Sequence, residues 1–257
     1  MTRPRKRRVR KKFLYFILAA ASVFAVLGSA GYLAVYSDLL KVETININGN
    51  VISNSEEIRS KLAADLASRS LLNRFLGERS LLFWPNGKFK PSGRLLPAVL
   101  EMNFEKNWGS KTVTIEVTER KPFGIFCETL CYWFDEEGVL FDRSPEATGF
   151  LIAKVKDENR RNLGLNDQII GKPEFTDNLI QTIKILSAGS ILKPKTYVIK
   201  NIGLQEFHVL TDGPELYFSL GFIPKDLTKI LEAIAKETNI RRLNYIDFRV
   251  ENRVYYK

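Results

Sequence analysis

Residues 13–36 read FLYFILAAASVFAVLGSAGYLAVY and contain no charged side chain. At about 1.5 Å rise per residue, a helix of this length reaches roughly 36 Å, enough to cross the hydrocarbon core of a bilayer with some tilt. Its apolar residues occupy every side of the helix, whereas a soluble surface helix carries a single apolar stripe. The segment predicts a transmembrane helix over 13–36.

Residues 1–12 form a basic tail in front of this segment and contain no acidic side chain. On the other side, Asp38, Lys41 and Glu43 nearly cancel in charge. The flank of a span that carries the excess of Lys and Arg usually stays in the cytoplasm. We therefore expect the N-terminus on the cytoplasmic side of the cell membrane and everything after Tyr36 on the outer side. The tail is also expected to attract anionic membrane lipid. Its basic residues are Arg3, Arg5, Lys6, Arg7, Arg8, Arg10, Lys11 and Lys12.

A cleaved signal peptide is the alternative interpretation of the same segment, since Ser29-Ala30-Gly31 offers small residues to a peptidase. The apolar core of a signal peptide runs over roughly 7–15 residues, and this one is longer. The length favours a retained anchor.

The net charge of the chain is +10, from 39 basic and 29 acidic residues. Ten minus the eight charges of the tail leaves +2 for the other 245 residues. The basic character is therefore a topology signal, and we expect no nucleic-acid partner, which would need Lys and Arg on one face of a folded domain. The residues after the span suffice for one large or two small domains.

A strand and a turn open the part of the chain beyond the span. Ile45 and Ile47 alternate with polar neighbours, which is the period of a half-buried strand over 41–48. Residues 48–50, Asn-Gly-Asn, then supply a turn, since Asn and Gly tolerate positive φ.

Two helices are expected to follow the turn. Ser53 and Glu56 form a capping box that predicts the start of the first. One face of that helix would carry Ile58, Leu62 and Leu66. Residues 69–96 contain two Pro/Gly clusters, which predict a loop and then a short second helix near 93–100.

Two alternating strands complete a first domain over 41–120. One begins at Met102, and the other covers 112–118, where Val113, Ile115 and Val117 alternate with polar residues. The order strand, helix, helix, strand, strand predicts a small α+β domain with its helices on one face of a three-stranded sheet.

Residues 121–257 are expected to form a second, mostly antiparallel β domain with helices. Strands are predicted over 123–127, 131–134, 139–141, 151–155, 196–204, 206–211 and 216–222, and helices over 176–188 and from Pro224.

This organisation resembles the FtsQ/DivIB family of cell-division proteins, which place a POTRA domain after a basic tail and a single span. Residues 42–50, VETININGN, look like the opening strand and glycine turn of the family's POTRA domain. Residues 112–122, TVTIEVTERKP, look like its closing strand, which ends in Glu-Arg-x-Pro. A strand ending in Gly221-Phe222, a long helix and a final Ile-Asp-x-Arg strand at 246–249 resemble the family's C-terminal β domain.

The two cysteines, Cys127 and Cys131, lie on either side of a predicted hairpin tip, where opposite strands bring Cα atoms close to disulfide range. Outside the cytoplasm such a bridge could persist. Two free buried thiols are the alternative that the sequence leaves open. No metal site is expected, because His208 is the only histidine and two thiolates lack the other ligands of zinc.

The end of the chain carries the candidate binding residues. Ile246, Phe248 and Val250 would face one way and their odd-numbered neighbours the other. A strand at the edge of a sheet exposes N–H and C=O groups that can accept a partner strand. The sequence leaves open whether residues 245–257 form one strand or a hairpin. The predicted partner-binding residues are Tyr245, Asp247, Arg249, Val250, Asn252, Arg253, Val254, Tyr255 and Tyr256.

Catalytic residues are not apparent in the sequence. His208 alternates between Phe207 and Val209 as an ordinary strand residue would, and the acids at 135–137 read as a solvated turn. No phosphate-binding loop of the Gly-x-x-x-x-Gly-Lys type occurs. We expect no enzyme activity, no cofactor and no small-molecule substrate.

The resemblance implies a bitopic scaffold of the division machinery at the septum, with the domains after its span outside the cell membrane. Its C-terminal edge is expected to bind small coiled-coil membrane proteins of the FtsB/DivIC and FtsL types. The alternatives are a membrane-anchored cell-wall enzyme and a POTRA module that serves another envelope process.

Overall fold

The chain is a mixed α+β protein with a long N-terminal helix and two β-sheets, and this confirms the coarse fold class that the sequence predicts. The computed structural model describes residues 5–36, 38–146 and 152–257. Two predictions fall partly outside these ranges: the first four residues of the basic tail, and Leu151, the predicted start of a strand.

Helix α1 spans Arg5–Tyr36, so part of the basic tail continues into the apolar helix. Within it, Phe13–Leu33 has a mean hydropathy of 2.1 and no residue buried in the fold. Among the described residues this is the helix that is long and apolar enough to cross a membrane.

Contacts divide the chain into two units. The first holds the described residues up to Pro91 together with Leu100–Thr118, and the second holds Ser92–Val99 with Glu119–Lys257. The sequence placed the boundary between residues 120 and 121.

The first unit contains a four-stranded sheet in the order β1-β4-β3-β2. Strand β1 runs parallel to β4, with Ile45 opposite Val113, and β2 is antiparallel to β3. Ile58 and Leu62 of α2 are fully buried, as are Met102 and Ile115 of the sheet. The elements are β1 Thr44–Asn48, α2 Ser55–Arg69, α3 Leu71–Leu76, β2 Gly87–Phe89, β3 Val99–Asn107 and β4 Thr112–Glu119.

Gly49 explains the turn between β1 and α2. Its φ is +83°, and a Cβ at this position would lie 2.4 Å from the carbonyl oxygen of Val117. A side chain here would meet backbone rather than a movable neighbour, so the turn requires glycine.

Three predictions for this unit are wrong. The cap of α2 is Asn54 rather than Ser53, because the Asn54 side chain accepts the Glu56 N–H at 2.9 Å. The second helix lies at α3 and not over 93–100, where Pro97 holds the residue before it away from helical geometry. Strand β2 adds a fourth strand to the three expected.

The second unit is built on a nine-stranded sheet in the order β13-β12-β11-β10-β9-β8-β5-β6-β7. The sheet is mixed: β5/β8, β8/β9 and β11/β12 are parallel pairs, and the others are antiparallel. The strands are β5 Gly124–Cys127, β6 Cys131–Phe134, β7 Leu140–Arg143, β8 Ala153–Asp157, β9 Pro194–Asn201, β10 Glu206–Thr211, β11 Glu215–Ser219, β12 Tyr245–Asp247 and β13 Tyr255–Tyr256.

Two helices contribute to the core of this unit, α4 at Pro173–Gly189 and α5 at Leu227–Glu237. Leu179 and Ile183 of α4 and Leu231 of α5 are buried in the same cluster as the inward side chains of the strands. Helix α5 is the crossover that lets β12 run parallel to β11. This crossover places β12 beside the edge strand β13, where the candidate site lies.

Candidate functional site

Residues 245–257 form a hairpin, which settles the choice that the sequence left open. Strand β12 pairs antiparallel with β13, with Ile246 opposite Tyr256 and Asp247 opposite Tyr255. Asn252 in the connection has a φ of +59°, a conformation that Asn tolerates better than most residues. Tyr245 and Asp247 are therefore not at the edge, since β12 has a neighbour on both sides.

The edge itself is β13, which has no second neighbour among the described strands. The N–H of Lys257 donates to the Tyr245 carbonyl at 3.3 Å, and the Lys257 carbonyl accepts from the Asn244 N–H. Backbone groups of successive strand residues point to opposite sides. The N–H and C=O of Tyr256 therefore point away from β12, toward a position that another strand could occupy.

The predicted binding residues separate into three sets. Tyr245 and Asp247 are half-buried on β12, and Val254 is half-buried against the core of the unit. Tyr255 and Tyr256 are exposed on the edge strand. The remaining residues are exposed and lie between the strands: Arg249, Val250, Asn252 and Arg253.

Val250 does not share a face with Ile246 and Phe248, although the alternation predicted it. Ile246 and Phe248 are buried, but Val250 is 46% exposed. The strand stops at Asp247 and the chain turns, so the two-residue alternation no longer applies at position 250.

Arg249 anchors the segment that connects β12 and β13 to the polar face of the sheet. Its Nε and terminal nitrogens donate to both carboxylate oxygens of Asp247 at 2.9 and 2.7 Å, and it also donates to Glu206 on β10. The guanidinium carbon lies 5.1 Å from the centre of the Tyr217 ring. One side chain thus links three strands of the sheet to the segment that follows β12.

The contacts of Arg249 shift the pKa values of the charged groups that take part in them. Burial alone would raise the pKa of Asp247, but hydrogen bonds and the charge of Arg249 outweigh it and hold that pKa below its ordinary value. The same competition, with hydrogen bonds from His208 and Arg249, lowers the pKa of Glu206. In return, the hydrogen bond to Asp247 raises the pKa of Arg249.

His208 belongs to the same polar face, and both of its ring nitrogens lie within hydrogen-bond distance of a carboxylate. Its Nδ1 lies 2.8 Å from Glu215 and its Nε2 lies 3.2 Å from Glu206. The imidazole stacks on Tyr217 with 4.1 Å between centroids, and Tyr217 stacks on Tyr245. The face therefore carries an aromatic and charged row that ends beside the hairpin.

A groove of about 220 Å³ lies beside the hairpin connection, and no pattern in the sequence predicts it. It forms because the segment between β11 and α5 passes close to the segment between β12 and β13. Its apolar lining comes from Phe222, Ile223, Pro224, Ile230, Phe248, Val250 and Val254, and its polar rim from Lys225, Glu251, Asn252 and Arg253. The groove borders the edge strand and offers an apolar side chain a place to insert.

Arg249→Ala is expected to destabilise the second unit by about 1 kcal/mol at pH 7, since the ion pairs are partly exposed. Glu206 and Asp247 have lowered pKa values, so their stabilising contribution is present above their ordinary pKa and is lost as the pH falls through the lowered one. The loss caused by the substitution should therefore be smaller at pH 3 than at pH 7, because pH 3 lies below the ordinary pKa values of both carboxyl groups. Thermal unfolding of the full chain in detergent, followed by near-UV circular dichroism at both pH values, measures it.

Arg253→Ala is the matched control for this prediction. Arg253 lies in the same connection and forms no ion pair with any described residue. It should change stability by less than about 0.5 kcal/mol at either pH. An equal effect of the two substitutions, or a loss for Arg249→Ala that is as large at pH 3 as at pH 7, would contradict the role of the network.

Cys127 and Cys131 are joined by a disulfide at the tip of the β5–β6 hairpin, with Cα atoms 4.2 Å apart. The tip residue Glu128 accepts the backbone N–H groups of Arg161 and Leu163 at 3.2 and 3.3 Å. The disulfide thus fixes this loop contact. The contact lies near the opposite end of the sheet from β13.

One expectation about the acids at 135–137 is wrong. Asp135 is buried and forms an ion pair with the buried Arg120, while its other oxygen accepts the N–H groups of Glu137 and Val139. Only Glu136 and Glu137 are solvated. These acids serve the turn between β6 and β7. Among the described residues, no group of three His, Cys, Asp or Glu side chains could hold a metal ion.

No family model matches this chain, and no curated protein is significantly similar to it.

Proposed function

We propose that this chain is a non-enzymatic, single-span membrane scaffold of the cell-division machinery, with its two folded units outside the cell membrane at the septum. In this proposal the first unit is a POTRA domain and the second is the β domain that captures a partner by strand addition. The partners are small coiled-coil membrane proteins of the FtsB/DivIC and FtsL types. No cofactor or substrate takes part.

The open edge at β13, with the groove beside it, is the observation that carries this proposal. Tyr256 presents its backbone N–H and C=O outward, and the groove can receive an apolar side chain next to the added strand. Support for the location comes from the apolar helix α1 and from the disulfide, since disulfides persist outside the cytoplasm. The cell-division role rests on the resemblance of residues 42–50 and 112–122 to the FtsQ/DivIB family.

Tyr256→Pro is expected to weaken partner capture by about tenfold or more, because proline removes the outward backbone donor. The measurement is co-purification of the full chain in detergent with candidate small coiled-coil division proteins, one candidate at a time. Near-UV circular dichroism of each variant checks that the second unit stays folded.

Tyr256→Thr is the matched control. It removes the same ring and the same hydroxyl bond to Glu237, but it keeps the backbone N–H and suits a strand. Capture that survives in the threonine variant and fails in the proline variant supports strand addition. Strand addition would be overturned if both variants captured the partner as well as the original chain does. It would also be overturned if both variants lost partner capture equally.

A further inference from the structure

Helix α3 presents its apolar side chains outward. The helix spans only Leu71–Leu76, and three of its large apolar side chains are exposed: Leu71 at 75%, Leu72 at 72% and Phe75 at 78%. Soluble surfaces rarely gather large apolar side chains in this way unless they meet another apolar surface. No side chain of α3 is buried in the first unit, so packing within the fold does not explain its composition.

The position of α3 is fixed close to the point where α1 ends. The Leu81 N–H donates to the Leu40 carbonyl at 2.7 Å, and the Val42 N–H donates to the Arg79 carbonyl at 2.8 Å. These bonds hold the segment that follows α1 against the segment that follows α3. Helix α3 also lies against α1 itself.

Two more exposed apolar side chains, Leu82 and Trp108, lie at the same end of the first unit. Lys106 links the segment that contains Leu82 to Trp108. Its Nζ donates to the Leu81 carbonyl and the Trp84 carbonyl, and lies 5.4 Å from the centre of the Trp108 ring. The turn that carries Trp108 is also bonded to the start of β1, since the Glu43 N–H donates to the Lys111 carbonyl. Leu71, Leu72, Phe75, Leu82 and Trp108 together form the span-proximal patch.

The charges around the span-proximal patch suit an anionic surface. Arg74 and Arg79 are exposed on either side of the end of α3 and form no ion pair with any described residue. Glu78 between them is paired with Arg59, and Glu43 is paired with Lys111. Apolar side chains bordered by uncompensated arginines are typical of segments that lie in the headgroup layer of a membrane.

We propose that the span-proximal patch lies in the headgroup region of the membrane leaflet at which α1 ends, so that the first unit rests on the lipid surface. The occupant is lipid because the patch adjoins the end of the apolar helix and carries arginine at its border. Tryptophan and arginine at such a depth are the usual interfacial anchors. This inference depends on the proposed crossing of the membrane by α1, but not on any division partner.

The test uses the full chain in vesicles of phosphatidylethanolamine with phosphatidylglycerol. Because Cys127 and Cys131 are bonded to each other, a cysteine introduced by substitution is the reactive thiol for an environment-sensitive fluorophore. Three variants are compared: Phe75→Cys in the patch, Phe24→Cys within α1, and Val51→Cys as the control. Val51 is 90% exposed and follows the end of β1 that lies away from α1.

We expect the label at position 75 to emit at shorter wavelength than the label at 51, and to be quenched most by lipids with a spin label near the headgroup. The label at position 24 should be quenched most by lipids spin-labelled deep in the acyl chain. The label at 51 should stay unquenched in both.

A label at 75 that behaves like the one at 51, while position 24 is quenched, would overturn the inference and leave the membrane span intact. A blue-shifted label at 75 without quenching by either lipid would also overturn it, because protein would then cover the patch. Absence of quenching at position 24 would instead contradict the proposed span, and the inference would fail with it.

Discussion

Arg120→Ala is expected to destabilise the second unit by about 3–5 kcal/mol, the usual cost of leaving one member of a buried ion pair without its partner. Arg120 and Asp135 are both buried, and the substitution would leave the Asp135 carboxylate inside the fold with only backbone N–H groups around it. The Arg120 backbone would remain bonded to Ala98. Urea unfolding of the full chain in detergent, followed by near-UV circular dichroism, measures the loss.

Lys184→Ala gives the matched control, because Lys184 on α4 forms an ion pair with the same turn. Lys184 bonds the exposed Glu136 at 2.9 Å, and removing an exposed pair should cost less than about 1 kcal/mol. The double substitution Arg120→Met with Asp135→Leu should recover much of the stability, since apolar residues of similar size often replace a buried pair at little cost. Equal effects of Arg120→Ala and Lys184→Ala would show that the buried pair has no special role.

Phe248→Ala is the second substitution with a large expected effect, again about 3–5 kcal/mol, because it removes a fully buried ring. Phe248 stacks on Phe218 at 5.1 Å, and Phe218 stacks on Phe207 at 5.2 Å. The three rings tie the end of β12 to β11 and β10. The same urea unfolding experiment measures the loss, and partner capture should fall with it, because Phe248 also lines the groove.

Val250→Ala is the comparison for Phe248. It lies two residues further along, and the sequence pattern assigned it to the same face as Phe248. In the structure Val250 is exposed, so its truncation should change stability by less than about 0.5 kcal/mol. A loss at Val250 as large as that at Phe248 would show that the strand continues past Asp247 in solution.

The fold could be predicted from the sequence where one physical signal dominated. The alternation of Val113, Ile115 and Val117 corresponds to β4, and the apolar spacing of the C-terminal helix corresponds to α5. The apolar run in α1 needed only length and the absence of charge. In each case a local sequence pattern determines the element, so no knowledge of its neighbours is required.

Tertiary contacts explain what the sequence could not supply. Helix α3 escaped notice because its apolar residues do not face the core, and the burial of Asp135 depends on Arg120, fifteen residues earlier. The groove exists only because two connections distant in sequence pass close together. A signal for the Arg249 network was present, since Glu206 and His208 share one face of β10 and Glu215 and Tyr217 share one face of β11.

The shortness of β13 limits what backbone pairing can do for a partner. One residue, Tyr256, turns a single N–H and a single C=O outward, and two such hydrogen bonds contribute about 1–3 kcal/mol. Micromolar affinity needs about 8 kcal/mol. Most of the binding energy of a complex must then come from side chains in the groove, so unrelated strands gain little at this margin and self-association is discouraged.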